Sequence, residues 1–159
     1  MNTVLTNFGR LPDIYLLPED HELLLDLICA APRTTAGITL LWREIRRAAI
    51  IPPEHAPADL VQLQSTVTFT DLDRATPRAV QLVGPGQRTA RPRVSVLTSV
   101  GAALIGLRAG DTFRWRSERG RTRVLRVDHV SPDPEAAERL LGARAADRRR
   151  NIAELLSLH

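Results

Sequence analysis

Two periods of apolar residues run along this chain, and the point where one replaces the other divides it. Between Leu11 and Ala49 a short extended stretch comes first, with Ile14 and Leu16 alternating over Pro12 to Leu17. Pro18 suits the first turn of a helix, where its missing N–H costs nothing. Glu19, Asp20 and Glu22 follow, where the helix dipole favours negative charge. Leu23, Leu24, Leu27 and Ile28 form the apolar stripe of this helix, and Pro32 stops it. Thr34 or Thr35 supplies a hydroxyl cap for a second helix. There Ile38, Leu41, Trp42, Ile45 and Ala49 recur at helical spacing, and Arg43, Arg46 and Arg47 gather towards the C-terminal end. Two amphipathic helices so closely joined are expected to pack as an antiparallel hairpin over residues 11–50. Each has about a dozen residues, hence a length on the order of 20 Å.

Ile51 to Pro57 reads IPPEHAP, and its three prolines suit neither a helix interior nor a central strand, so a domain boundary is expected there. Beyond it the period becomes two. Val61, Leu63, Ser65, Val67 and Phe69 line one face of a strand, the polar stretch Asp71 to Pro77 turns the chain, and Ala79 to Val83 reads as a second strand. After the loop opened by Gly84-Pro85-Gly86, Arg93 to Leu97 forms a third. Val100 to Arg108 reads as a short buried helix closed by Gly110. Asp111 begins a strand carrying Phe113 and Trp115, Ser117 to Gly120 makes a hairpin turn, and Thr122 to Val130 returns as the last strand. The pattern predicts an α+β domain over residues 58–132, an antiparallel sheet of about five strands with one short helix on a face. Pro132 and Pro134 end it, and residues 133–159 read as a helical tail from Glu135 to Leu158, either one helix or two pieces divided at Gly142. Its stripe of Leu140, Leu141, Ile152, Leu155 and Leu156 needs cover, from the chain's own body or from self-association.

A chain of 159 residues with 43% apolar content can bury a core without staples. Cys29 stands alone, so no internal disulfide forms and a reducing compartment is implied. The start lacks a basic stretch followed by an apolar one, and the longest apolar run, Val100 to Leu107, is too short to span a bilayer. A soluble, cytoplasmic protein with no membrane contact is expected. All 22 basic residues are arginine, which lifts the pI to 10.7 although the net charge is only +4. That excess reads as solvated surface rather than as the dense patch typical of nucleic-acid binding.

Catalytic constellations are sparse. His21, His55, His129 and His159 have no partners at helical spacing, and Cys29 is far from them in sequence, so no zinc site is expected. Nucleophile-elbow and P-loop patterns are absent. The proline in Gly84-Pro85-Gly86 removes an N–H that a phosphate cradle would use. Asp128 and His129 are neighbours on a strand and point to opposite faces. Cys29, beside the apolar stripe, reads as a small hydrophobe. The cluster Glu19, Asp20 and Glu22 sits at a helix start, where acids are favoured without any metal. The expectation is no enzyme, no cofactor and no metal.

Leu63 to Trp115 resembles the C-terminal domain of the GreA/GreB transcription elongation factors. The carrier is VSVLTSVGAALIGLRAGDTFRW, Val94 to Trp115, in which a strand leads into a small helix, then Leu-Ile-Gly, then Gly-Asp opening the next strand. LQSTVTFTDLD, the VGAALIGLR run, the short helical hairpin and the terminal PDPEAAERLL are similar to the Rnk branch, the regulators of nucleoside diphosphate kinase. The resemblance covers about Pro18 to Leu141.

That resemblance implies an FKBP-like domain without prolyl isomerase activity, docked near the rim of the RNA polymerase secondary channel with the hairpin pointing to the pore. Gre factors carry an acidic pair at the tip of a long hairpin, which holds magnesium and promotes cleavage of backtracked RNA. Here the tip falls at Pro32, Arg33 and Thr34, where there is no carboxylate. The implied behaviour is a non-catalytic competitor of Gre factors, with RNA polymerase as partner. Its implied docking residues are Ser99, Val100, Gly101, Ile105 and Arg108, although burial is the stronger claim on Val100 and Ile105. Ser99 departs from the family pattern, which has proline there, so the contact is implied to be weaker or differently aimed. Two alternatives stay open: a Gre-like cleavage factor, and a weak nucleic-acid contact through Arg88, Arg91, Arg93 and Arg148 to Arg150.

Overall fold

The computed structural model describes residues 10–87 and 91–132. The predicted tail helix, Arg88 and Arg148 to Arg150 lie outside the described residues.

Strand β1 (Tyr15–Leu16) leads into helix α1 (Pro18–Ala30), which begins on Pro18 with Glu19 and Asp20 in its first turn and no side-chain cap. Thr35, not Thr34, caps α2 (Ala36–Arg47): its hydroxyl accepts the Ile38 N–H at 3.2 Å. Along α2, Gly37, Ile38, Leu41, Glu44 and Ile45 are buried, at the spacing of one helical face. Three expectations need correcting. Leu23 and Trp42 are 45% and 43% exposed, because each lies one position, about 100°, from the inward residues Leu24 and Leu41. Cys29 is exposed as well. Ala49 belongs to no helix: α2 ends at Arg47, and β2 (Ala49–Ile50) pairs in parallel with β1.

After a 3-10 turn at Pro53–His55 come β3 (Thr66–Asp71), β4 (Thr76–Val83), β5 (Arg93–Ser95), α3 (Ser99–Leu104), β6 (Thr112–Arg116) and β7 (Thr122–Ser131). Five strands form one sheet in the order β5-β4-β3-β7-β6. The sheet is mixed rather than antiparallel, because β5 runs parallel to β4. β5 lies beside only the last three residues of β4, Gln81 to Val83, so the parallel pair spans a short return along the sheet.

Val61 and Leu63 are not in the first strand of the sheet. Gln64 adopts φ +75° and Ser65 N–H bonds to Gln62 O at 3.1 Å, a turn that restarts the chain at Thr66. Val61 instead pairs with the Ile-Gly-Leu segment: its N–H reaches Leu107 O at 2.8 Å, and Gly106 N–H reaches Val61 O at 3.0 Å. Helix α3 is also shorter than expected and ends at Leu104, not at Arg108. Gly106, at φ +81°, turns the chain, and the Cβ of any other residue there would sit 3.0 Å from Ile14 Cβ. In β7, Thr68 faces His129 while Phe69 faces Val127, so Asp128 is the extra residue of a bulge.

One apolar cluster joins the helices to the sheet. Leu24, Leu41 and Ile45 share it with Leu104, Ile105, Phe113 and Leu125. Among the described residues both helices lie against the sheet domain. Asp20 Oδ2 accepts the Leu63 N–H at 3.4 Å, and a Cβ on Gly37 would lie 2.1 Å from Leu97 O. The reason is area: short amphipathic helices bury their stripes on the sheet domain rather than only on each other. Among the described residues no helix is long and apolar enough to cross a membrane.

Candidate docking surface

The loop before α3 is clamped on two sides by glycine. Ser95 starts it, its hydroxyl accepting the Leu97 N–H at 3.2 Å and its carbonyl accepting the Thr98 hydroxyl at 2.7 Å. Thr98 in turn caps α3, accepting the Gly101 N–H at 3.1 Å. A Cβ on Gly101 would sit 2.0 Å from Ser95 O, so the backbones meet where only hydrogen fits. Gly37 of α2 closes the other side against Leu97 and Thr98. Sequence reasoning passed over Gly37; its only signal was a glycine inside a helical pattern.

Ser99 emerges from this clamp half-buried, at the junction of two hollows. One, about 490 Å³, is lined by Trp115, Asp71, Arg74 and the β6–β7 turn. The other, about 620 Å³, runs between α2 and β6 past Leu40, Arg43, Phe113 and Arg114. Val100 is half-buried against the core, while Gly101 and Ile105 are buried and present nothing to a partner. Arg108 is exposed and pairs with Asp59 at 3.0 Å. Of the five implied docking residues, Ser99, Val100 and Arg108 reach the surface.

Around the first hollow the electrostatics are settled by pairs that sequence spacing did not reveal. Arg123 binds Asp71 at 2.5 Å and lies 5.4 Å from the Trp115 ring centroid. Burial pushes the Asp71 carboxyl up, but the Arg123 hydrogen bond, the Asp73 N–H and the charges of Arg123 and Arg74 outweigh it and hold Asp71 below the ordinary aspartate value. Asp128 is also held low, first by the Thr70 hydroxyl and then by Arg126. His129 turns away to Ser131, 3.1 Å from its hydroxyl, so Asp128 and His129 form no dyad.

Pro32, Arg33 and Thr34 are exposed on the loop between the helices. Glu19, Asp20 and Glu22 lie at the other end of α1, with Asp20 holding the Leu63 N–H and Glu19 and Glu22 exposed, while the exposed Asp26 lies about one turn before the loop. Among the described residues no three His, Cys, Asp or Glu side chains converge as a metal site.

Residues 56–132 match the family model described as "Transcription elongation factor, GreA/GreB, C-term". The chain is 39% identical over 130 residues to the "Regulator of nucleoside diphosphate kinase" of Escherichia coli K12, covering 79% of this chain and 94% of that protein. The protein of that name from Shigella flexneri matches equally. A solved structure, "Prokaryotic transcription elongation factor GreA/GreB from Nitrosomonas europaea", superposes with a TM-score of 0.59 at 31% identity, over 76% of this chain and 99% of that one. Matching motifs, matching length and a shared fold together make this chain a member of the GreA/GreB transcription elongation factor family, on its branch of regulators of nucleoside diphosphate kinase.

Proposed function

We propose that this chain is a non-catalytic regulator that binds RNA polymerase near its secondary channel, competes there with Gre factors and promotes no transcript cleavage. The observation that carries the reading is the loop between α1 and α2, Ala31-Pro32-Arg33-Thr34-Thr35, which offers a guanidinium where a magnesium ion would need carboxylate oxygens. Reach argues the same way. Helices of 13 and 12 residues, laid on the sheet domain, cannot carry a metal deep into an enzyme that the domain only abuts. On this reading Ser99, Val100 and Arg108 meet the polymerase, and the protein works in the cytoplasm, where transcription occurs.

Stalled elongation complexes test it directly. With magnesium and this protein the RNA keeps its length, and added protein slows the cleavage promoted by a Gre factor in proportion to its concentration. RNA shortened by this protein alone overturns the reading. So does clean separation from core RNA polymerase in gel filtration at roughly micromolar concentration.

A further inference from the structure

Strand β6 is the last strand on its side of the sheet. Two bonds set the phase of its ladder with β7: Ser117 N–H to Arg121 O at 2.8 Å, and Val127 N–H to Asp111 O at 2.9 Å. In that register residues 111, 113, 115 and 117 face β7, and Thr112, Arg114 and Arg116 turn their N–H and C=O groups outward. No main-chain group among the described residues bonds to them. A row of this kind is a template for one more strand.

Beside the row runs the hollow of about 620 Å³, with α2 as its far wall. Leu40 and Phe113 supply apolar lining, and Arg43, Arg114 and Arg116 also border it. Arg114 and Arg116 are exposed on the sheet face opposite to buried Phe113 and Trp115, and neither forms an ion pair among the described residues. Thr112 to Ser131 holds six arginines against Glu118 and Asp128, a net +4 that equals the formal charge of the whole chain. The rest of the molecule is balanced; the excess sits on this hairpin.

We infer that the β6 edge takes an extended acidic segment of a protein partner as a sixth strand of the sheet. Carboxylates at alternate positions of the segment meet Arg114 and Arg116, and small apolar residues between them face the hollow. The same arginines exclude edge-to-edge pairing with a second copy, which would set like charges opposite one another. Nucleic acid is the poorer fit, since Phe113 and Trp115 are buried and offer no ring for a base to stack on. This inference stands independently of the polymerase reading, because its test contains no polymerase.

The probe is a capped peptide of alternating Glu and Val, seven residues long, titrated into the nitrogen-labelled full chain and followed by amide resonances. Shifts and slowed exchange are expected at Thr112, Arg114 and Arg116. Replacing Glu by Lys in the peptide abolishes them, and the double variant Arg114→Thr, Arg116→Thr weakens binding at least about tenfold. If the double variant fails to fold, the Glu and Lys peptides on the unaltered chain still decide. The inference is overturned by any of four results: no shift at these amides at about millimolar peptide, equal response to the Lys peptide, a thymidine oligonucleotide moving the same amides more strongly, or protection of the three amides before any peptide is added.

Discussion

At Asp71, burial and neighbouring charge act in opposite directions, and charge wins. Asp71 and Asp128 are both more acidic folded than unfolded, so the folded state binds fewer protons than the unfolded chain. Their stabilisation is complete above the ordinary aspartate range, near pH 4, and is lost as pH falls towards the lower folded values. Melting temperature should therefore hold steady from about pH 6 to about pH 4 and drop below that. Asp71→Asn should cost roughly 1 kcal/mol at neutral pH, the modest figure suiting a partner, Arg123, that is 36% exposed. The variant's acid decline should also be shallower; a decline as steep as that of the unaltered chain removes Asp71 as its cause. Nothing in the sequence marked this residue, which read as part of a polar turn, because Arg123 lies 52 positions away. Asp128 was legible as part of a candidate dyad to be set aside, yet its bulge and its Thr70 partner were not.

Elements owe their ends to caps and turns and their fit to small residues. Thr35 and Thr98 cap α2 and α3, and both helices then meet the segment 95–99 through glycine. Gly101→Ala places a methyl group 2.0 Å from Ser95 O, a backbone atom that cannot swing aside. The expected cost is about 1–3 kcal/mol in urea unfolding, with displacement of Ser99 and weaker docking as a consequence. A change under about 0.5 kcal/mol, the size of an ordinary surface substitution, would show that the loop yields freely. Helix positions were readable because Pro18, Pro32 and the apolar spacing are local signals. Local signals could not distinguish which of Leu23 or Leu25, and which of Leu41 or Trp42, turns inward, since an apolar residue fits the stripe from either side.

At the scale of the molecule the helices and the sheet share one core, with Leu41 fully buried between them. Leu41→Ala should cost about 2–5 kcal/mol and lower the stability of helices and sheet together. Circular dichroism and tryptophan fluorescence, with Trp42 on α2 and Trp115 on β6, should report one coincident unfolding transition. Separate midpoints for the two probes would mean that the helices melt independently. A shared core also explains the flattened helices: a hairpin of this length gains more from the sheet domain than from standing alone in water. The uncleaved transcript and the acidic strand partner proposed above are both consequences of that arrangement, one through the bare loop and the other through the groove beside β6.

By itself the amino-acid sequence determined the class of fold, the number of sheet strands, the proline break and the absence of carboxylates between α1 and α2. Each is a property of neighbouring residues, and side-chain periodicity and turn chemistry act over a few positions. Tertiary structure alone decided the parallel pairing of β5, the pairing of Val61 with Leu107, the resting place of the helices and the Asp71–Arg123 pair. These join residues from about ten to more than fifty positions apart, and which of many compatible partners meets which is selected by burying the whole apolar surface at once, a choice no local pattern contains.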